Sequence, residues 1–235
     1  LDSYQQLRQF TADASHELRN PVALIQTNVQ AALSDPDSTV QEQRQQLEVI
    51  ERLTRRLGRL VDDLLFLARQ DSGILQPRRE MVDFDALVLE VVEEQQLQAR
   101  EREVVLTLDF DQLPEVCGVI GDRDQLARLC TNLIANALQY TPAAGSVAVA
   151  LAGEGDRLRL RVSDTGIGIP ATALPHLFER FYRVDPARSH VGQRGSGLGL
   201  AIVATILESH QGQIAVRSRE GQGSCFEITL PIRAE

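Results

Sequence analysis

The chain has 235 residues, of which 43% are hydrophobic, and its formal net charge is −9 at pH 7. This length allows one or two domains, and the acidic balance argues against nucleic-acid binding as the main role. The 24 residues of the Lys and Arg class are all Arg, because the sequence contains no Lys. That absence excludes a Walker A phosphate loop and a Ser/Thr/Tyr protein kinase, since each of them requires a Lys.

The three cysteines, Cys117, Cys130 and Cys225, are widely spaced and odd in number. They therefore predict neither a disulfide framework nor a zinc site, and we expect small apolar core residues in a reducing compartment. The sequence has no signal peptide, no run of 18 apolar residues and no initial Met. We expect a cytoplasmic fragment of a longer protein, with any membrane attachment in a missing N-terminal region.

Two long helices are predicted first, over residues 3–34 and 39–71, and a turn at residues 34–38 separates them. Apolar residues recur in both helices at steps of three and four. A lone hairpin of two helices would leave its apolar stripes in water, so we expect two hairpins to pair as a dimeric four-helix bundle. The alternative is a bundle with other helices of the same chain.

A candidate phosphate acceptor lies on the first predicted helix at His16. At about 100° per residue, the imidazole points away from the apolar positions and into water. Glu17 is adjacent, and Asn20 is one turn further on the same face. The other histidines, His176, His190 and His210, lack a following acid. A surface His on a helix often has no chemical role, so this segment alone does not decide the function.

A second domain is predicted over residues 80–235, after a linker at residues 73–79. Short strands and helices alternate in it, which predicts an α/β sandwich with mixed pairing in its sheet. Residues 171–196 have no strong periodicity and are predicted to form a mobile loop. The predicted helices cover residues 85–102, 122–140 and 197–210, and the predicted strands cover residues 81–84, 104–110, 115–120, 146–151, 157–163, 213–218 and 223–230.

Five motifs then occur in a characteristic order along nearly the whole chain, which resembles the sensor histidine kinases of two-component systems. In that family they are called the H box, N box, first glycine box, F box and second glycine box. Here they correspond to Phe10–Pro21, Asn132–Thr141, Asp164–Pro170, Phe178–Arg183 and Gly195–Leu200. The resemblance implies a dimerisation and histidine phosphotransfer domain at residues 1–72. It also implies an ATP-binding domain of the gyrase, Hsp90 and histidine kinase type at residues 80–235.

The resemblance implies a reaction as well. ATP would phosphorylate His16, with Glu17 as the base that draws the proton from the imidazole. The phosphoryl group would pass to an aspartate of a response regulator receiver domain, which would dock on residues 20–30 and the facing part of the second helix. Asn20 would position a water for the reverse reaction, the removal of phosphate from the regulator.

ATP binding without Lys needs a carboxylate for adenine, a metal ligand and backbone donors for the phosphates. The resemblance assigns adenine to Asp164, Mg²⁺ to Asn136 and support of the phosphate end to Asn132, with Tyr140 against the nucleotide. The structural alternatives are an ordinary strand-end turn at Asp164 and solvated asparagines. The remaining residues expected at the nucleotide are Gly166, Gly168, Ile169, Gly195, Gly197, Leu198, Gly199 and Leu200.

The chain departs from the family pattern at Gln139, where the family usually has Lys. Arg183, Arg188 and Arg194 are candidates to supply the missing positive charge, because guanidinium groups bind phosphate well. Two other functions remain open at this point. One is an ATPase that couples nucleotide to a change of shape, and the other is a degenerate kinase that serves as a scaffold. The histidine-bearing hairpin argues against the first, and the intact asparagine, aspartate and glycine motifs argue against the second.

Overall fold

The structure, a computed structural model, describes residues 2–34, 39–72, 78–114, 117–184 and 195–232, with side chains from residue 10 onward. It divides into two compact units, Leu1–Ile74 and Leu75–Glu235. The predicted turn around residues 35–38 and most of the predicted linker, residues 73–77, lie outside the described residues.

The first unit is the predicted helical hairpin. Helix α1 runs Asp2–Ser34 and helix α2 runs Val40–Asp71. The start of α2 is defined by a capping box, in which the Thr39 hydroxyl accepts the Glu42 backbone N–H and the Glu42 carboxylate accepts the Thr39 N–H. The Thr39 backbone N–H and the Thr39 hydroxyl both donate to the Glu42 carboxylate and lower its pKa. The buried residues of α2 are Leu53, Leu60, Phe66 and Leu67.

The second unit is built on a five-stranded sheet. Its helices are α3 (Phe84–Glu101), α4 (Arg123–Tyr140) and α5 (Gly199–Ser209), and a 3₁₀ turn lies at Leu174–His176. Its strands are β1 (Glu80–Asp83), β2 (Val105–Asp111), β3 (Gly118–Gly121), β4 (Ser146–Glu154), β5 (Arg157–Asp164), β6 (Gln213–Ser218) and β7 (Ser224–Pro231). The strand order is β2-β4-β5-β7-β6, and β1 pairs with β3 in a separate two-stranded sheet.

The pairing in the larger sheet is mixed, as the sequence predicts. Strands β2 and β4 are parallel, and the other neighbours are antiparallel. Alternation along β5 buries Leu158, Leu160 and Val162 and places three arginines on the opposite face. The helices contact the strands of this sheet, so a single layer of helices covers its apolar face. This arrangement leaves the strand ends free to carry a site.

Most predicted elements differ from the observed ones by one to three residues at an end, for example the strand predicted at residues 146–151, which is Ser146–Glu154. The last helix begins at Gly199 rather than at residue 197, because Gly197 has a positive φ of 72° and cannot be helical. The strand predicted at residues 115–120 is observed at Gly118–Gly121, and residues 115–116 lie outside the described residues. Helix and strand ends are the least constrained by periodicity, so these shifts leave the architecture unchanged.

The cysteines only partly match the expectation of core residues. Cys117 and Cys130 are buried, and burial raises the pKa of the Cys130 thiol to about 12. Cys225 is only half-buried, because it lies on the face of β7 that the helices do not cover. All three cysteines are free thiols.

Candidate functional site

Asp164 is the last residue of β5 and lies where three segments meet. Its Oδ1 accepts the backbone N–H of Gly166 at 2.8 Å and that of Ser224 at 3.2 Å. Burial raises the pKa of this carboxyl, and the two N–H donors act in the opposite direction. Within the described residues, Oδ2 has no hydrogen-bond partner. That oxygen is therefore available to accept a hydrogen bond from a ligand such as an adenine amino group.

Three glycines let the backbone pass close to Asp164. A methyl group on Gly166 would lie 2.4 Å from the Tyr140 carbonyl oxygen. A methyl group on Gly168 would lie 2.0 Å from the backbone carbonyl oxygen of Arg219. One on Gly223 would lie 2.0 Å from the backbone carbonyl oxygen of Asp164. Gly168 and Gly223 also have positive φ angles of 66° and 86°. Main chain is therefore the nearest neighbour of each of these glycines, as the close approach of a flat base requires.

The turn between β6 and β7 also contributes main chain beside Asp164, and its residues were not among those predicted for the site. Ile169 donates its backbone N–H to the Ser218 hydroxyl at 2.8 Å, so this predicted site residue is held by the protein itself. The Ser218 hydroxyl in turn donates to the Gly223 carbonyl. The Gly-Gln-Gly-Ser run at residues 221–224 is the turn signal that could have indicated this segment.

Helix α4 carries the two asparagines predicted for the site. The Asn132 amide donates to the Gly199 carbonyl at 3.3 Å, which joins α4 to the start of α5. The Asn136 side chain is half-buried and has no hydrogen-bond partner among the described residues, so its oxygen is available as a metal ligand. At the end of α4 the Tyr140 carbonyl accepts the Ile167 N–H, and the phenol ring is 44% exposed.

The start of α5 is held by the segment that contains Phe181. The Phe181 N–H donates to the Gly197 carbonyl at 3.0 Å. Both residues have positive φ angles, 62° for Phe181 and 72° for Gly197. A methyl group on Gly197 would lie 2.7 Å from the Phe181 carbonyl carbon. This contact joins two of the motifs and sets the entry into α5, whose free N–H groups suit phosphate oxygens.

The remaining predicted nucleotide residues are distributed as follows. Gly195 lies beside Gln139, since a methyl group on Gly195 would be 3.7 Å from the Gln139 amide nitrogen. Leu198 is buried and precedes α5, and Leu200 is half-buried in its first turn. Arg183 is half-buried and has partners within the protein, whereas Arg188 and Arg194 lie outside the described residues.

The hairpin presents its candidate acceptor to solvent as the sequence predicts. His16 and Asn20 are exposed on α1, and Glu17 between them is half-buried. Pro21 follows within the same helix and is buried. The exposed imidazole is accessible to a phosphoryl donor.

The comparisons with known proteins agree with this arrangement. The His Kinase A (phospho-acceptor) domain family matches residues 6–73, and the histidine kinase-, DNA gyrase B-, and HSP90-like ATPase family matches residues 121–234. Sensor histidine kinase RppB from Synechocystis sp. is 42% identical over 230 residues, which are 98% of this chain and 50% of RppB. The chain belongs to the sensor histidine kinases.

Solved histidine kinase structures show the same fold. The mycobacterial sensor histidine kinase MprB is 30% identical with a TM-score of 0.55, over 67% of this chain and 99% of that one. Full-length ShkA in complex with AMPPNP is 25% identical with a TM-score of 0.70, over 97% of this chain and 46% of that one. This kinase chain spans about half the length of the curated relatives it matches. Among the described helices, none has the length and apolar composition needed to cross a membrane.

The pKa of Asp164 leads to a prediction about Asp164→Asn. Burial of the carboxylate is unfavourable once it ionises, so its contribution to stability is lost as pH rises through its raised pKa. An isosteric amide keeps an acceptor for the Gly166 and Ser224 N–H groups without that charge. We expect Asp164→Asn to lose nucleotide binding and yet unfold at a higher temperature than wild type at neutral pH. Thermal unfolding without ligand checks this, and an equal gain at about pH 3.5, below the ordinary Asp pKa, would contradict the stated cause.

Gly223 and Gly221 provide a matched pair for the main chain beside Asp164. Both have positive φ angles, but a side chain on Gly221 would meet nothing within 4 Å. Gly221→Ala should therefore bind nucleotide like wild type despite roughly 1 kcal/mol of backbone strain. Gly223→Ala should also displace Asp164 and weaken nucleotide binding at least tenfold. Calorimetric titration with ADP measures both, and equal affinities would remove Gly223 from the site.

Proposed function

We propose that this chain is the catalytic core of an ATP-dependent protein-histidine kinase that phosphorylates His16. The observation that carries the proposal is the presence, on one chain, of an exposed imidazole on α1 and a carboxylate, Asp164, that has one free oxygen and close main-chain contacts around it. The first needs a phosphoryl donor, and the second has the free carboxylate oxygen that adenine recognition needs. The domain assignment follows, with residues 1–72 for dimerisation and phosphotransfer and residues 80–235 for ATP binding.

The residues around Asp164 fit ATP as the substrate. The Asp164 carboxylate would accept the adenine amino hydrogen, and the N-terminal N–H groups of α5 would face the phosphates. Mg²⁺ fits the free amide oxygen of Asn136, and when bound it would neutralise charge on the phosphates. The solved ShkA complex with AMPPNP, an ATP analogue, supports the choice of nucleotide. Arg183, Arg188 and Arg194 are the proposed replacements for the absent Lys at position 139.

The chemistry at His16 is a transfer of one phosphoryl group. The bond between the γ-phosphorus and the bridging oxygen of ATP breaks, a phosphorus–nitrogen bond forms to the imidazole, and ADP leaves. The imidazole loses its proton in this step, and the adjacent Glu17 carboxylate is the proposed acceptor of that proton. Phosphohistidine then donates the group to an aspartate of a response regulator receiver domain, and Asn20 serves the removal of phosphate from that regulator.

The proposed homodimer rests on two exposed apolar stripes of the hairpin. Each stripe has three residues within an arc of roughly 40° on its helix. They are Val22, Val29 and Leu33 on α1 and Leu47, Val61 and Leu65 on α2.

The two stripes lie on the same side of the hairpin. The stripe on α1 is rotated by roughly 80° from the buried Pro21 side, and the stripe on α2 by roughly 120° from the buried Leu53 and Leu60 side. Both rotations have the same sense, and the helices are antiparallel, so both stripes face the same direction. A second copy of the hairpin would cover this continuous apolar surface.

His16→Gln tests the phosphoryl acceptor. Wild type incubated with Mg·ATP labelled on the γ-phosphate should gain one label that is labile to acid and stable to alkali. His16→Gln should lose it, and His176→Gln should keep it, because His176 is not followed by an acidic residue. Among the described residues, His176 pairs with Glu179 and Tyr182. Label retained in His16→Gln would remove the acceptor assignment and favour a scaffold or ATPase function.

Leu47→Asp tests the homodimer. Leu47 is 62% exposed on the apolar stripe, and Gln45 lies on the opposite face of α2, about 200° away. We expect Leu47→Asp to weaken dimerisation tenfold or more, because a charge would be buried in the interface. Gln45→Asp should sediment like wild type. A monomeric wild-type chain at tens of micromolar would contradict the dimer.

Asn20→Ala separates phosphatase activity from kinase activity. An amide that positions a water is needed only for the hydrolysis of the regulator's aspartyl phosphate. We expect His16 labelling and forward transfer near wild type and a loss of at least tenfold in the hydrolysis rate. Decay of the phosphorylated regulator in the presence of ADP measures this. If all three activities fall together, Asn20 has a structural role before Pro21.

A further inference from the structure

Two hydrogen bonds join α4 and α5, and both helices contribute to the proposed nucleotide site. At the site itself, the Asn132 amide donates to the Gly199 carbonyl. At the opposite end, the Asp122 backbone N–H donates to Nε2 of His210 at 3.0 Å. Ten residues separate the two bonds along α4 and eleven along α5, which correspond to about 15 Å and 16 Å of helix. The near-equal spacing holds the antiparallel pair in one axial register.

The geometry determines which ring nitrogen of His210 carries the proton. Nδ1 lies 2.8 Å from the Ile206 carbonyl oxygen, which can only accept a hydrogen bond, so Nδ1 is the donor. The Ser209 hydroxyl, 3.0 Å from Nδ1, donates its own hydrogen to the same carbonyl. Nε2 therefore keeps its lone pair and accepts the Asp122 N–H. A second proton on the ring would remove this acceptor.

The surroundings of the ring are built for this contact. His210 is only 6% exposed, and a methyl group on Gly121 would lie 2.4 Å from Cδ2 and 2.6 Å from Nε2 of the ring. Only a glycine at position 121 lets the imidazole reach the start of α4. The Asp122 carboxylate is itself engaged, since Oδ1 accepts the Gln125 N–H and Oδ2 accepts the Arg78 N–H.

We infer that His210 is a positioning residue whose neutral ring holds α4 and α5 in the register that nucleotide binding needs, so that protonation of the ring weakens binding. The inference rests on the proposed nucleotide site. It differs from the role of Asn132, because the ring lies at the far end of both helices and touches no residue assigned to the nucleotide.

The direction of the pH effect follows from the forces on the ring. Burial lowers the pKa of His210, hydrogen bonding to Ile206 and the negative charge of Asp122 raise it, and the positive charge of Arg79 lowers it. With a lowered pKa, the contribution of the ring to stability is fully present above the unfolded value of about 6.5. It is lost as pH falls below that value towards the folded pKa. Nucleotide affinity should weaken as pH falls through the lowered folded pKa, because the ring of the folded protein gains its second proton there.

The test measures ADP affinity of the full chain by calorimetry with Mg²⁺, between about pH 5.5 and 8. His210→Gln keeps an oxygen that can accept the Asp122 N–H and cannot titrate, so it should bind like wild type above pH 7. His210→Leu removes the acceptor and should bind roughly threefold to tenfold more weakly at every pH. As pH falls through the lowered folded pKa of His210, wild type should weaken more steeply than His210→Gln. The phosphate of ADP titrates equally with every variant and cancels in this comparison.

Gly121→Ala tests the same contact from the end of β3, just before α4. It should displace the ring and reproduce the weaker binding of His210→Leu, while Gly121→Ala combined with His210→Leu should be no weaker than the worse single variant. Additive losses would mean that the two residues act separately, and would overturn the inference. Thermal unfolding of each variant in parallel shows whether the binding measurement reports a folded protein.

The ring can also be observed directly in wild type by nitrogen NMR. We expect a proton on Nδ1, slow exchange of the Asp122 amide, and a pKa of His210 below about 6.5. A proton on Nε2, or pH profiles of wild type and His210→Gln that superimpose, would overturn the inference. If wild type binds no ADP at any pH, the proposed function and the effect on binding both fail, and the ring titration alone decides whether the two helices are joined in this way.

Discussion

Two backbone N–H groups, from Gly166 and Ser224, donate to one oxygen of Asp164, and the proposed nucleotide site depends on this arrangement. The donors offset part of the cost of burying a carboxylate and orient its other oxygen for a ligand. The two donor residues, Gly166 and Ser224, lie 58 residues apart in the chain. One carboxylate therefore joins the end of β5 to the start of β7, and the glycine turns on both sides have to pass close to it.

Helix α4 connects this site to the rest of the domain. Its last carbonyl, on Tyr140, accepts the Ile167 N–H, and its Asn132 amide donates to the start of α5. Its first residues are capped by Asp122, whose N–H is in turn held by His210. The proposed metal ligand Asn136 lies between these fixed points. A change in the register of α4 would move the proposed contacts to adenine and to the phosphates together. For this reason the buried imidazole of His210, at the far end of α4, is proposed to influence binding.

Much of the fold could be predicted from the sequence. The long helices of the hairpin have a strong apolar period, and the strands are short runs bounded by turns, so element types and the mixed sheet followed from pattern. His16, Asn132, Asn136 and Asp164 were predicted as site residues because they lie in short local motifs. Gly223 and Ser224 were missed, because their role depends on a strand pairing that brings them to Asp164. Phe181 was noticed as part of a motif, but its backbone contact with Gly197 was not.

The sequence by itself determined which side chains are candidates for the reaction and that a helical hairpin precedes the α/β unit. Periodicity and local motifs act over a few residues and persist without tertiary context. The absence of Lys also restricted the phosphate partners to Arg, backbone N–H groups and metal. Only the tertiary structure decided which oxygen of Asp164 is free and which nitrogen of His210 carries the proton. Each choice involves one partner that lies far away in the sequence, because the Ser224 N–H donates to Oδ1 of Asp164 and the Asp122 N–H donates to Nε2 of His210. Only chain folding brings such partners within about 3 Å of each other.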